Sequence, residues 1–218
     1  MKNIKNLLLI SVSIVSIQVF CQDFNEKTRY LLGTFHSHNT TINGISFGAF
    51  PNFNDNRYVR TNGIRLEAPG IGLVGIFANG SIISTEETDE VINGLNISGG
   101  TMGNVSYNGI TLALGVQSGT EINGIAIAGI WNGMKLSNGI QISGLFNEAT
   151  YSNGLQFSIS NATDYMYGIQ MGGVNFVEEN MIGVQIGVWN DSKKTKGIQI
   201  GLWNINEKRK TPLVNWNF

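Results

Sequence analysis

Cysteine is nearly missing from this chain of 218 residues, and its one copy is Cys21. A fold stapled by disulfides, or a cluster of thiolate metal ligands, is therefore excluded. Histidine occurs only as His36 and His38. Charge is scarce as well: 13% of residues are Asp, Glu, Lys or Arg, about half the usual fraction for a soluble domain, and the formal net charge is −1. No basic surface emerges that would recruit nucleic acid. A helical period long enough to matter is absent after residue 22. What fills the chain instead is glycine, with 28 copies, and asparagine among short aliphatic runs.

The first residues read as an export segment, 1–21. Lys2 and Lys5 form a positive start, and Leu7 to Val19 is an apolar run interrupted only by Ser11, Ser13, Ser16 and Gln18. Val19 and Cys21 sit at −3 and −1 of a cut before Gln22. The run is short for a spanning helix, which takes about 20 apolar residues. A lipidated Cys21 is the alternative, although Phe20 and Gln18 precede it where small residues are wanted. Cleavage after Cys21 leaves a mature chain without cysteine and, without the two lysines, a formal charge of about −3.

A repeat dominates the rest. From residue 93 onward a glycine followed by an aliphatic residue recurs at Gly94, Gly109, Gly124, Gly139, Gly154, Gly168, Gly183 and Gly197, in steps of 15 or 14. Weaker copies lie at Gly44 and Gly63 within 22–92, which belongs to the same domain as the tandem units of 93–218. Positions one and three after the glycine are apolar in all eight units, as in Ile140 and Ile142 or Val184 and Ile186. The residues between them are small or amide-bearing, such as Gln141 and Gln185. Period-two alternation predicts strands with two unlike faces, so the fold class is all-β.

Three architectures could use such a unit: an antiparallel barrel, a β-solenoid with 14–15-residue coils, and a β-sandwich. The alternating run from Asn138 to Asn147 covers most of one repeat. Taken as a single straight strand it leaves about six residues for a return, too few for a coil, but enough for a hairpin turn between strands of about 9–11 residues. The face chemistry points the same way. An outer surface of uncharged Gly, Ala, Ser, Asn and Gln is unlike a soluble protein, whereas an apolar face against lipid and a small polar face toward a lumen suit an outer-membrane barrel. The leading expectation is thus a repeat-built barrel of about 10–12 strands, with the solenoid as alternative. Gln141, Gln156, Gln170, Gln185 and Gln199 become lumen-facing or ligand-facing candidates. Trp131, Phe146, Trp189, Trp203, Trp216 and Phe218 become girdle candidates. Val214, Trp216 and Phe218 alternate up to the terminal residue, as in a last barrel strand carrying an aromatic assembly signal. The near-uniform connections after residue 100 favour the solenoid instead.

With the units KGIQIGLWN (196–204), IGVQIGVWN (182–190) and NGIQISGLFN (138–147) in view, the chain resembles the bacterial surface-repeat proteins of the leptospiral type, which carry tandem G-[IV]-Q-x-G-[LV]-x-N units. The resemblance covers residues 93–218 and weakens toward the first units, where Asn96, Thr111 and Ala126 stand in place of glutamine. It implies export to the cell envelope or surface, and brings no activity or catalytic residues. The export segment followed by Gln22 resembles that of a Bacteroidetes envelope protein.

Little chemistry stands out. His36 and His38 share a side of a strand without a third ligand nearby, which reads as a solvated strand end. Glu86, Glu87, Asp89 and Glu90 lack the alternating pattern of a calcium loop. Lys193, Lys194, Lys196, Lys208, Arg209 and Lys210 make two basic turns, which read as charged turns between uncharged strands, with lipopolysaccharide or anionic lipid head groups as the alternative. No nucleophile elbow or phosphate-binding glycine loop is present. Asn39, Asn104 and Asn161 precede x-Ser/Thr, which matters only in a eukaryotic secretory route. The sequence predicts a non-enzymatic protein without cofactor or metal, in the outer membrane or at the cell surface of a Gram-negative envelope. Its expected partners are outer-membrane lipid and the barrel-assembly machinery, and its role is structural or that of a passive pore. The alternative is a secreted, periplasmic or surface-attached solenoid acting as a binding or adhesion module.

Overall fold

The computed structural model describes residues 26–50, 57–77, 82–84 and 87–218. The export segment and Glu86 lie outside the described residues. Most of the described chain is strand: β1 (Lys27–Gly33), β2 (Thr40–Gly48), β3 (Val59–Glu67), β4 (Glu90–Ser98), β5 (Val105–Ala113), β6 (Val116–Ala128), β7 (Trp131–Ser143), β8 (Phe146–Ser192), β9 (Thr195–Ile205) and β10 (Lys210–Asn217), with one 3-10 turn at Gly75–Phe77. They form one sheet in sequence order. From β1 to β9 every pairing between them is parallel, and only β10 runs antiparallel to β9.

Register explains the architecture. Gly44 lies beside Gly63, Gly63 beside Gly94, then Gly109, Gly124, Gly139 and Gly154 in turn. Parallel pairing of a chain with its own continuation one repeat later requires a full circuit between rungs. The molecule is therefore a β-solenoid of about 11 turns, and the barrel is corrected. The alternating run is not one straight strand, because it bends at Gly144–Leu145. The repeat glycine just before it takes φ +135° at Gly139 and φ +141° at Gly183, a conformation that L side chains rarely adopt. With the flat segment reduced to the few residues from Gly139 to Ser143, about ten remain for the return, and the coil closes without strain.

The repeat glycine has a second constraint. A Cβ at Gly183 would stand 1.9 Å from the carbonyl oxygen of Gly168 on the rung below. No side chain fits there, so the column admits glycine alone.

The apolar face of the alternating strands points outward, not into the core. The residues two after each glycine are buried: Arg65, Asn96, Thr111, Ala126, and then the glutamines. Hydrocarbon enters the core mainly from the other side of the coil, in three small clusters. Ile92, Val105, Tyr107, Ile122, Ala126 and Met134 form the largest, with Phe35, Ile42 and Val59 toward the N-terminus and Met166, Val177 and Met181 farther along.

Candidate binding face and its polar support

Burying amides is costly unless each finds a partner, and the repeat supplies one. Gln199 donates from Nε2 to Gln185 Oε1, Gln185 to Gln170, Gln170 to Gln156 and Gln156 to Gln141, at 2.8–2.9 Å. Asn215 caps the column by donating to Gln199 Oε1 at 3.2 Å. The sequence expectation that these glutamines face a lumen or a ligand is corrected: all five are 0% exposed. Their amides fill the space that a lumen would need. At the other end Gln141 Nε2 has no partner, because the next rung carries Ala126.

A parallel ladder runs beside the first with the opposite polarity. Asn132 donates from Nδ2 to Asn147 Oδ1, and the chain continues through Asn161, Asn175, Asn190 and Asn204 at 2.7–3.1 Å. Each amide also donates to a backbone carbonyl of the next coil, as Asn190 Nδ2 does to Ile200 O at 3.0 Å. That second acceptor fixes which end of the amide is nitrogen. A glycine keeps the space open: a Cβ at Gly187 would lie 2.6 Å from Asn175 Nδ2. The motif G-[IV]-Q-x-G-[LV]-x-N thus has a physical reading, with Gln and Asn as rungs of two ladders, the first Gly under its neighbour's carbonyl and the second making room for the Asn amides.

Toward the N-terminus the ladder ends in charge. Asn96 Nδ2 donates to Thr111 Oγ1, Thr111 to Gln117, and Gln117 to Asn132. Arg65 Nη1 donates to Asn96 Oδ1 at 3.1 Å and to Glu67 Oε2 at 2.7 Å, while its Nε donates to Glu90 Oε1 at 2.7 Å. Arg57 approaches Glu90 at 3.6 Å, and the Arg65 guanidinium lies 3.9 Å over the Phe35 ring. Burial opposes the Arg65 charge, but Glu90 and Glu67 outweigh it and hold the group protonated well above its ordinary range. Burial pushes the Tyr107 hydroxyl up beside them. Two cations and two anions balance inside the coil, so this is a structural plug. Sequence reasoning missed it, although an arginine in a column otherwise made of small and amide residues was a readable sign.

Outside, the apolar columns are continuous. Ile45, Ile64, Leu95, Ile110, Ile125 and Ile140 stand in register, and Leu155 follows. At the far end Val184 pairs with Ile198, beside which β10 places Trp216. The column two residues on holds Ile97, Ile127, Phe157 and Ile200, and a third holds Leu114, Ile159, Val188 and Leu202, the last 67% exposed. Between the second and third columns runs a groove of about 860 Å³ floored by Gly173 and walled by Phe157, Ile186 and Leu202.

Two edges frame this face, one of amides and one of aromatic rings. On one, Asn153, Asn138, Asn123, Asn108, Asn93 and Asn62 form a third amide ladder, each donating toward the N-terminus at 2.7–2.9 Å and ending on Asn43 Oδ1. On the other, Trp131 packs against Phe146 at 5.5 Å and Trp189 stands in register with Trp203. These girdle candidates make one edge column rather than the two rings of a barrel. Trp216 and Phe218 belong to the terminal cap, where Arg209 lies 4.5 Å over the Trp216 ring. The basic turns meet the Asn edge. Lys194, Lys196 and Lys208 line one groove with Glu207 and Phe218.

The remaining candidates scatter. His36 Nε2 bonds Phe50 O at 2.7 Å, and among the described residues no three His, Cys, Asp or Glu side chains converge as a metal site. Of the acidic run, Glu90 turns inward to Arg65 and Asp89 accepts from Asn104 at 3.0 Å. Comparison with protein-family models, with curated proteins and with solved structures found no match to this chain.

Proposed function

We propose that the chain is a non-enzymatic surface module, an exported rigid β-solenoid that attaches to a partner through its apolar face. One observation carries this reading: the outward columns are hydrocarbon while the inward ones are amide. With rungs about 4.8 Å apart and alternate residues about 7 Å apart, two columns over eleven rungs, joined by a third at Leu114, Ile159, Val188 and Leu202, make a face of roughly 50 by 14 Å. That is roughly 700 Å², above the largest apolar patch of a typical monomer, about 300–600 Å². A face this large against water marks an interaction site.

The buried ladders supply the rigidity such a surface needs. Each net hydrogen bond contributes about 1 kcal/mol, and every rung adds at least one. The role is adhesion or attachment at the cell envelope, and a passive pore has no support from an interior filled by side chains. The test is retention of displaying cells on octyl-coated beads. Cells displaying the natural chain are retained; cells displaying it with Leu114→Asp, Val188→Asp and Leu202→Asp, all at well-exposed positions, are released. Equal retention by both, with equal amounts on the surface, contradicts the reading.

A further inference from the structure

Resting on the apolar face as the attachment surface, we infer that its occupant is an anionic lipid bilayer, in whose interfacial layer the solenoid lies flat with its C-terminal corner held by head groups. Three observations select lipid over protein. The first is the absence of hydrogen-bonding side chains within the columns. A protein interface carries about one hydrogen bond per 100–200 Å², so a face of roughly 700 Å² would offer several. Columns such as Ile110, Ile127, Leu114 and Leu202 offer none; the backbones of Ile110 and Ile127 are engaged in the parallel ladder, and Leu114 N donates to Ser98 O. Hydrocarbon requires nothing more of them.

The second is the framing. Trp189 and Trp203, 40% and 38% exposed, border one long edge, and amide side chains border the other. An aromatic ring with one apolar and one polar end belongs at the boundary between acyl chains and head groups. The third is charge. Lys196 continues the Asn edge, in register with Ile182. Lys208 Nζ donates to Asn217 Oδ1 at 2.6 Å, which brings a second ammonium to that edge, and Lys194 shares the same groove. Arg209 lies over Trp216, beside Ile198 of the face. Four cations thus stand at one corner, with Glu207 as the only acidic side chain lining that groove. This arrangement complements phosphate head groups at the level where the apolar columns end.

The four tryptophans, Trp131, Trp189, Trp203 and Trp216, all belong to the solenoid, and residues 1–25 contain none. Tryptophan emission therefore reports the face, and not the apolar N-terminal run. The experiment mixes the full chain with vesicles of neutral phosphatidylcholine, or of phosphatidylcholine with phosphatidylglycerol, each with brominated acyl chains. The expected result is a blue shift and quenching, strongest on the anionic vesicles. Lys196→Glu with Lys208→Glu lowers partitioning to anionic vesicles at least about tenfold and changes neutral binding little. Val188→Asp with Leu202→Asp abolishes quenching on both; Leu114→Asp serves if that pair fails to fold by circular dichroism. Quenching that a folded variant retains, or a natural chain that stays unquenched and monomeric, overturns the inference. A dimer dissociated by Leu202→Asp overturns the lipid assignment while the apolar face stands as an attachment surface. A folded monomer that neither quenches nor retains cells on octyl beads removes both.

Discussion

Gln185 and Ile186 are neighbours on one strand, and lysine substituted at each has opposite consequences. The Gln185 amide is 0% exposed, donating to Gln170 and accepting from Gln199. An ammonium there is a buried charge without a counter-ion and breaks two rungs, so Gln185→Lys is expected to cost about 3–5 kcal/mol in urea denaturation. Ile186 points outward, and Ile186→Lys is expected to cost under about 1 kcal/mol. From the sequence alone the reverse would be argued for a solenoid, since alternation says only that the two faces differ. Which face turns inward depends on amides finding one another across coils, and that pairing is visible only once the register is known. Arg65 is the other decisive residue. Arg65→Gln leaves Glu67 and Glu90 buried with Arg57 alone opposite them, and an expected loss of about 3–5 kcal/mol follows. Because the group is buried, the loss measured in low salt and in high salt is the same within error.

Within a rung, the unit is a Gln and an Asn position that share one interior. The adjacent coils at Gly109 and Gly124 depart from it. Ala126 stands where glutamine is usual, and Gln117 stands in the Asn column, its longer amide reaching Thr111, Asn132 and the Ile127 carbonyl. The two substitutions compensate, one side chain lending the volume that the other lacks. Ala126→Gln alone is expected to overpack the coil and cost about 1–3 kcal/mol. Adding Gln117→Asn restores the space, and the new amide reaches the unpartnered Gln141 Nε2, so the double variant is expected to be more stable than the single one by thermal melting. The repeat, its step and its alternation were legible because they are properties of sequence spacing. The bend at Gly144–Leu145 was not, since a glycine inside an alternating run reads equally as strand or corner.

For the molecule as a whole, the choice between barrel and solenoid turned on that bend, and the outward hydrocarbon expected of a barrel's lipid face is here the outside of a coil whose interior is amide. Charge on the coil's other side adds a pH dependence. Desolvation, with Glu178 and Glu179 nearby, raises the Asp164 carboxyl above the ordinary aspartate value. A raised folded-state value means that the native form holds the proton longer. Its stabilising effect is full below pH 3.8 and is lost as pH rises through the folded value. Asp164→Asn is therefore expected to raise the melting temperature slightly at pH 7, by less than about 0.5 kcal/mol in stability, and to change nothing at pH 3. The account stands or falls on the inverted coil, amides inside and hydrocarbon outside. Thiol labelling tests it directly, in a Cys21→Ser background with single cysteines placed at Gln185, Ile186, Gln199 and Ile200. In the native protein maleimide is predicted to modify positions 186 and 200 rapidly, and 185 and 199 only after denaturation. Rapid modification at 185 and 199 with protection at 186 and 200 would contradict it.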